Sequence, residues 1–70
     1  MPEIPEEVRK FLEDLETSLK ASKEALEKAE WYIKIGREMG FDVSEQIKRQ
    51  EELKKQIERI EEVRKRYLGK

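Results

Sequence analysis

Two long stretches of this chain carry apolar residues at heptad spacing, and a single break at Gly40-Phe41-Asp42 separates them. Apolar residues that alternate at three and four positions form one stripe along an α-helix, and two such stripes pack together as in coiled coils. A break of a few residues lets the second helix run back along the first. The sequence therefore predicts an all-α fold: an antiparallel, coiled-coil-like two-helix hairpin that assembles into a helical bundle.

The helix bounds follow from start and stop signals. Pro5 fits the first turn of a helix, and the two glutamates after it complement the partial positive charge there. Gly40 fits a left-handed C-terminal cap, and Asp42 or Ser44 caps the next helix. A turn near Thr17 would make a three-helix bundle instead, but it has no Gly or Pro to support it. We expect one helical-hairpin domain over residues 1–70, with a helix at about 5–39, a turn at 40–43 and a helix at about 44–68.

An antiparallel register follows from pairing heptad position a of one helix with position d of the other. This pairing predicts that Leu19 lies beside Tyr67. It also sets Lys23 opposite Glu61 and Glu30 opposite Lys54 on the e flank of the helices. These complementary charge pairs support the register although neither was used to choose it.

A lone hairpin leaves part of the apolar surface uncovered. The first helix, at about 35 residues, is longer than the second by roughly ten, so about 15 Å of it overhangs. Further apolar residues lie on the g flank of both helices, where the e flank is mostly charged, and the apolar arc widens near the loop. Contiguous apolar patches of this kind mark interfaces. The predicted oligomer interface comprises Val8, Phe11, Leu12 and Leu15 of the overhang with Ala25, Trp31, Tyr32, Ile35, Met39 and Val63.

Catalytic and cofactor chemistry find no support in the residue content. The chain has neither His nor Cys, so glutamates such as Glu61 lack the partners of a di-metal bundle site, and no Gly-rich phosphate loop or activated nucleophile occurs. We expect no enzyme activity, no cofactor, no metal and no small-molecule ligand.

Binding to nucleic acid or membrane finds equally little support. The formal net charge is -1, and the basic run at Arg64-Lys65-Arg66 complements the dipole of a helix C-terminus. No apolar run approaches the length needed to cross a bilayer, and no signal-peptide core follows Met1. We expect a soluble protein of undefined compartment, cytoplasmic if it is made without a signal.

Residues 5–12 (Pro-Glu-Glu-Val-Arg-Lys-Phe-Leu) and 51–60 (Glu-Glu-Leu-Lys-Lys-Gln-Ile-Glu-Arg-Ile) resemble de novo designed helical bundles. The resemblance covers most of the chain and implies a designed, symmetric helical homo-oligomer with no natural substrate. Absence of His, Cys and Asn from the chain suits a thermostable protein of designed or hyperthermophilic origin. Gly36, Arg64 and Trp31 depart from an idealised bundle, and they leave room for a natural hyperthermophile protein or a designed binder.

Self-association is thus the predicted role: a structural helical protein that forms a homo-oligomer, with a dimer favoured. The first alternative is a module that presents Trp31, Tyr32, Ile35 and Met39 to a different protein, since aromatic anchors dominate such sites. The second is a small coiled-coil protein from a hyperthermophile.

Overall fold

The computed structural model describes residues 4–69, which form two helices packed against each other as a hairpin. Helix α1 is Glu6–Glu38 and helix α2 is Ser44–Leu68. The predicted all-α hairpin is confirmed, and each helix end lies within one residue of its predicted position. Residues 1–3 and 70 of the predicted domain lie outside the described residues.

The end of α1 is a Schellman motif built on Gly40. The Phe41 backbone N–H donates to the Gly36 carbonyl at 2.8 Å, and the Gly40 N–H donates to the Arg37 carbonyl at 3.1 Å. Gly40 has a φ of 76°, in the left-handed region that a residue without Cβ enters at no steric cost. The predicted left-handed cap is confirmed, and it turns the chain back at once.

The start of α2 is held by Asp42. Its carboxylate accepts the backbone N–H of Ser44 at 3.0 Å and also the Ser44 hydroxyl. These two hydrogen bonds, the hydroxyl bond foremost, lower the pKa of Asp42 below its ordinary value because they favour the charged form. The prediction that Asp42 or Ser44 is the capping residue was wrong: Val43 is the N-cap of α2 and has no side-chain cap hydrogen bond, and Asp42 holds Ser44 from one position before it.

The core is a single seam between the helices. It consists of one buried stripe from each helix, at the predicted heptad positions. The buried residues are Leu12, Leu19, Ser22, Ala29, Ile33 and Gly36 of the first stripe and Val43, Leu53, Ile57 and Ile60 of the second. Within residues 4–69 no large side chain is less than 2% exposed, so two helices alone make a thin core.

The register of the two helices differs from the predicted one by one heptad. Leu19 lies in a core cluster with Ile57 and Ile60, one heptad nearer the turn than its predicted partner Tyr67, which is 52% exposed. The predicted Leu19–Tyr67 pairing is therefore wrong. The predicted Lys23–Glu61 ion pair is confirmed at 3.5 Å, since these two long side chains reach across the axial offset. The predicted Glu30–Lys54 pair is not among the ion pairs within residues 4–69.

The turn sets this register. Val43 packs so closely on Gly36 that a Cβ at Gly36 would lie 2.5 Å from Val43 Cγ1. With the Schellman motif fixing residues 36–41, α2 must start directly beside the end of α1. The close contact between Gly36 and Val43 is lost in a register displaced by one heptad.

In the observed register, α2 covers part of the α1 segment that was predicted to overhang. Leu12 is 4% exposed within the hairpin, and Leu15 is half-buried against the core cluster. The expectation that nothing in the chain covers these two residues was wrong, because α2 reaches further along α1 than predicted. Val8 and Phe11 remain exposed at the start of α1.

Candidate interaction surface

The exposed apolar side chains are most of those predicted for the interface. Val8, Phe11, Trp31, Tyr32, Ile35 and Met39 are each between 46% and 65% exposed. Ala25 and Val63 are half-buried on the same g flank. Leu12 and Leu15 belong to the seam instead.

The structure gathers four of these residues at the loop end of the hairpin. Tyr32, Ile35 and Met39 follow each other on successive turns of α1, and Trp31 lies one position outward. Phe41, in the turn, adds a fifth large side chain at 63% exposure. The sequence analysis did not count Phe41; its position directly after a Gly cap signals a residue outside the seam.

Trp31 is held by a neighbouring charge. The Lys34 ammonium nitrogen lies 5.3 Å from the centre of the Trp31 ring, at cation–π distance. Such a contact at an exposed site contributes about 0.5–1 kcal/mol, so it orients the ring without covering it. Trp31 is 54% exposed.

A second exposed group lies at the open end of the hairpin, at the start of α1 and the end of α2. Val8 and Phe11 stand on α1, and Tyr67 stands on the last turn of α2, which runs back to this end. The sequence analysis placed Tyr67 in the seam because its heptad position is d. Phe11 and the half-exposed Tyr67 are thus two exposed aromatic side chains at the open end, as Trp31 and Tyr32 are at the loop end.

Two polar side chains of the seam, Arg64 and Gln46, each hold a buried atom without a hydrogen-bond partner within residues 4–69. The Arg64 guanidinium lies 3.7 Å from a Glu16 carboxylate oxygen, yet its buried Nε has no partner within residues 4–69. The buried Oε1 of Gln46 also has no hydrogen-bond partner within these residues. Buried polar atoms without partners weaken a seam, and in coiled coils such residues also restrict its register.

Two other features are absent from the described residues: a cluster of metal ligands and a membrane-spanning helix. Among residues 4–69 no three His, Cys, Asp or Glu side chains cluster as metal ligands do. Neither helix is apolar enough over a sufficient length to cross a bilayer, as far as the described residues reach. What the geometry presents is an apolar surface at both ends of one flank.

Comparison with known proteins finds no matching family model, no similar curated protein and no similar solved structure. The resemblance to designed helical bundles therefore stays a prediction.

Proposed function

We propose that this protein is a structural, self-associating helical hairpin, one half of a symmetric homo-oligomer in which the dimer is favoured. The observation that carries the proposal is the surface area. The hairpin exposes 6185 Å², whereas a compact folded monomer of its 8.5 kDa mass exposes about 4,700 Å².

The difference has the size of an interface. An excess of about 1,500 Å² per chain, against the roughly 800 Å² per partner that a standard interface buries, suits an obligate association. The shape explains the excess: the hairpin is a rod of 55 × 16 × 15 Å, so it has little interior of its own. A second rod alongside the first removes surface from both.

The charge distribution favours a second copy of the chain as the partner. The 16 basic and 17 acidic residues leave a formal net charge of -1, so two copies do not repel each other at long range. Exposed apolar residues stand at both ends of the g flank, which an antiparallel copy covers together. A two-fold dimer is the commonest arrangement of this kind.

Adjacent positions on α1 give a matched test. Phe11→Glu places a charge on the exposed flank, and Leu12→Glu places the same charge in the seam next to it. We expect Phe11→Glu to lower the native mass in light scattering, because an unpaired charge is costly in an apolar interface. Leu12→Glu should abolish most of the helical circular dichroism signal as well. Self-association through the flank is disproved if Phe11→Glu keeps the wild-type mass.

The alternative of a module that binds a different protein rests on the loop end. Trp31 and Phe41 stand outside the g flank and stay half-exposed or more, and aromatic side chains are frequent anchors in protein interfaces. A pure wild-type chain that is monomeric and fully helical at micromolar concentration would favour this alternative. We expect instead an assembly in the wild type, and a dissociated hairpin that stays helical but unfolds at lower denaturant concentration, because so small a core is marginal alone.

A further inference from the structure

One face of α1 carries side chains that are complementary to the same face of an antiparallel copy. We define the side face of α1 as its g and c heptad positions between the two exposed aromatic residues. In order these are Phe11, Asp14, Ser18, Ala21, Ala25, Lys28 and Tyr32. They are spaced alternately three and four residues apart, so they form one stripe on the side of the helix away from the Lys23–Glu61 ion pair.

The side face is self-complementary about Ala21. Aromatic Phe11 lies ten positions before Ala21 and aromatic Tyr32 eleven after it, while acidic Asp14 and basic Lys28 lie seven positions to either side. Ser18 and Ala25 keep the middle of the stripe small, so that two helices can approach closely there. Two copies placed antiparallel across Ala21 bring aromatic to aromatic and acid to base.

We propose, building on the proposed self-association, that a second copy of this chain packs its α1 antiparallel against α1 about a two-fold axis at Ala21. Asp14 of each copy then faces Lys28 of the other, and Phe11 of each faces Tyr32 of the other. Within residues 4–69 neither Asp14 nor Lys28 makes an ion pair in the hairpin. Both charges are exposed and free to serve the second copy.

Helix α2 carries a similar charge pattern at its c positions, on the same side of the hairpin. Glu52 and Arg59 lie on either side of Gln56, with Glu45 and Arg66 further out, whereas at the g positions Arg49 faces apolar Val63. An antiparallel α2 from the second copy therefore faces acid with base at each of these c positions, although Arg66 already donates to Glu62 at 3.0 Å. The centres of the two stripes, Ala21 and Gln56, lie within about one helical turn of the same height in the observed register.

The alternative register displaced by one heptad toward the loop end loses the charge match. Asp14 would then face Ile35 of the second copy, and Lys28 would face Ala21. Charge complementarity selects a register in this way even where each pair adds little affinity. Displacement by one heptad the other way pairs Lys28 with Glu7 but leaves Asp14 opposite Ala21 and Phe11 opposite Ala25. Only the register centred on Ala21 matches both charges and both aromatic residues.

A charge swap tests the proposal by sedimentation equilibrium. Asp14→Lys and Lys28→Asp each place two like-charged pairs in the interface, and we expect each to raise the dimer dissociation constant at least about tenfold. The double variant restores opposite charges and should return to within about threefold of wild type. Asp14 and Lys28 are about 21 Å apart along one helix, so rescue in the double variant does not arise within one chain.

A matched control uses Lys10 and Glu24, which have the same spacing on the outward face of α1. Lys10→Glu and Glu24→Lys should leave the dissociation constant within about threefold of wild type. In about 1 M salt the effects of Asp14→Lys and Lys28→Asp should shrink, because screening is nearly complete there.

The outcomes separate the two proposals. A wild-type dimer whose single charge variants dissociate no more than the Lys10 and Glu24 controls overturns the α1 face and leaves self-association standing. The same holds if the singles dissociate but the double variant is not rescued. A folded wild-type monomer overturns the self-association, and the proposed face with it.

Discussion

Gly36 is the residue on which the hairpin geometry depends most closely. The sequence analysis noted it as a departure from an idealised helix, since glycine in a helix interior costs about 1 kcal/mol relative to alanine. The structure gives the compensation: Val43 Cγ1 occupies the place that a Gly36 side chain would need. The glycine weakens α1 slightly and lets α2 start directly against it.

We expect Gly36→Ala to destabilise the hairpin by about 1 kcal/mol. Alanine would normally stabilise such a helix position by about 0.4–1 kcal/mol, but overpacking against Val43 costs about 1–3 kcal/mol. Urea unfolding measures the change. The double variant with Val43→Ala should lose less than the two single changes added together; a single Gly36→Ala that raises stability would show that the close approach is absent.

Asp42 makes the start of α2 sensitive to acid. Because its hydrogen bonds with Ser44 lower the pKa of the folded form, the carboxylate stabilises the fold above the ordinary Asp value. That stability is lost as the pH falls from there through the lowered pKa. We expect Asp42→Asn to make the stability of the fold depend less on pH on the acid side. Thermal unfolding at pH values between about 2 and 6, the range in which carboxylates titrate, measures the change. An unchanged pH dependence would mean that Asp42 does not accept these hydrogen bonds from Ser44 in solution.

At the scale of the helices, the sequence predicted the two elements and their ends but not their register. The stop at Gly40 is a local signal that acts as expected, and α2 starts at Ser44 as predicted, although its N-cap is Val43 rather than Asp42 or Ser44. A heptad pattern, in contrast, repeats itself: sliding α2 by one heptad again places apolar residues opposite apolar residues. The choice depends on the contact between Gly36 and Val43, which no pattern of polarity reveals, and the burial of Leu12 follows from it.

Arg64 provides the element-scale prediction. Its side chain is 24% exposed, and its buried Nε lacks a partner within residues 4–69. We expect Arg64→Leu to stabilise the assembly by about 1 kcal/mol in urea unfolding, since replacing a buried charge with an apolar group is often favourable. Lys55→Leu, on the outward face, is the control and should change stability by less than about 0.5 kcal/mol. A loss of stability in Arg64→Leu would show that the ion pair with Glu16 outweighs the buried Nε.

At the scale of the whole molecule, most of the candidate surface was predictable, because a two-helix hairpin buries only the side chains of one seam. Tyr32 and Met39 were identified from their flank alone, and both are exposed. Tyr67 was assigned to the seam because its heptad position is d, and the one-heptad error in register carried over to it. Phe41 was missed because a residue in a turn has no heptad position.

The shape is a second argument for the proposed self-association. The radius of gyration, 16.1 Å over Cα atoms, exceeds the roughly 11 Å of a compact chain of this length. An elongated hairpin places most of its side chains at the surface, so its apolar residues are covered efficiently only by another rod. A second hairpin laid alongside makes a four-helix bundle with the apolar flank inside.

Small-angle X-ray scattering tests this account most directly, because one measurement gives both mass and length. We expect a mass of twice the 8.5 kDa of the chain together with a longest dimension close to the 55 Å of the single hairpin, since two rods lie side by side. A scattering mass of one chain, unchanged with concentration in a fully helical sample, would contradict the account.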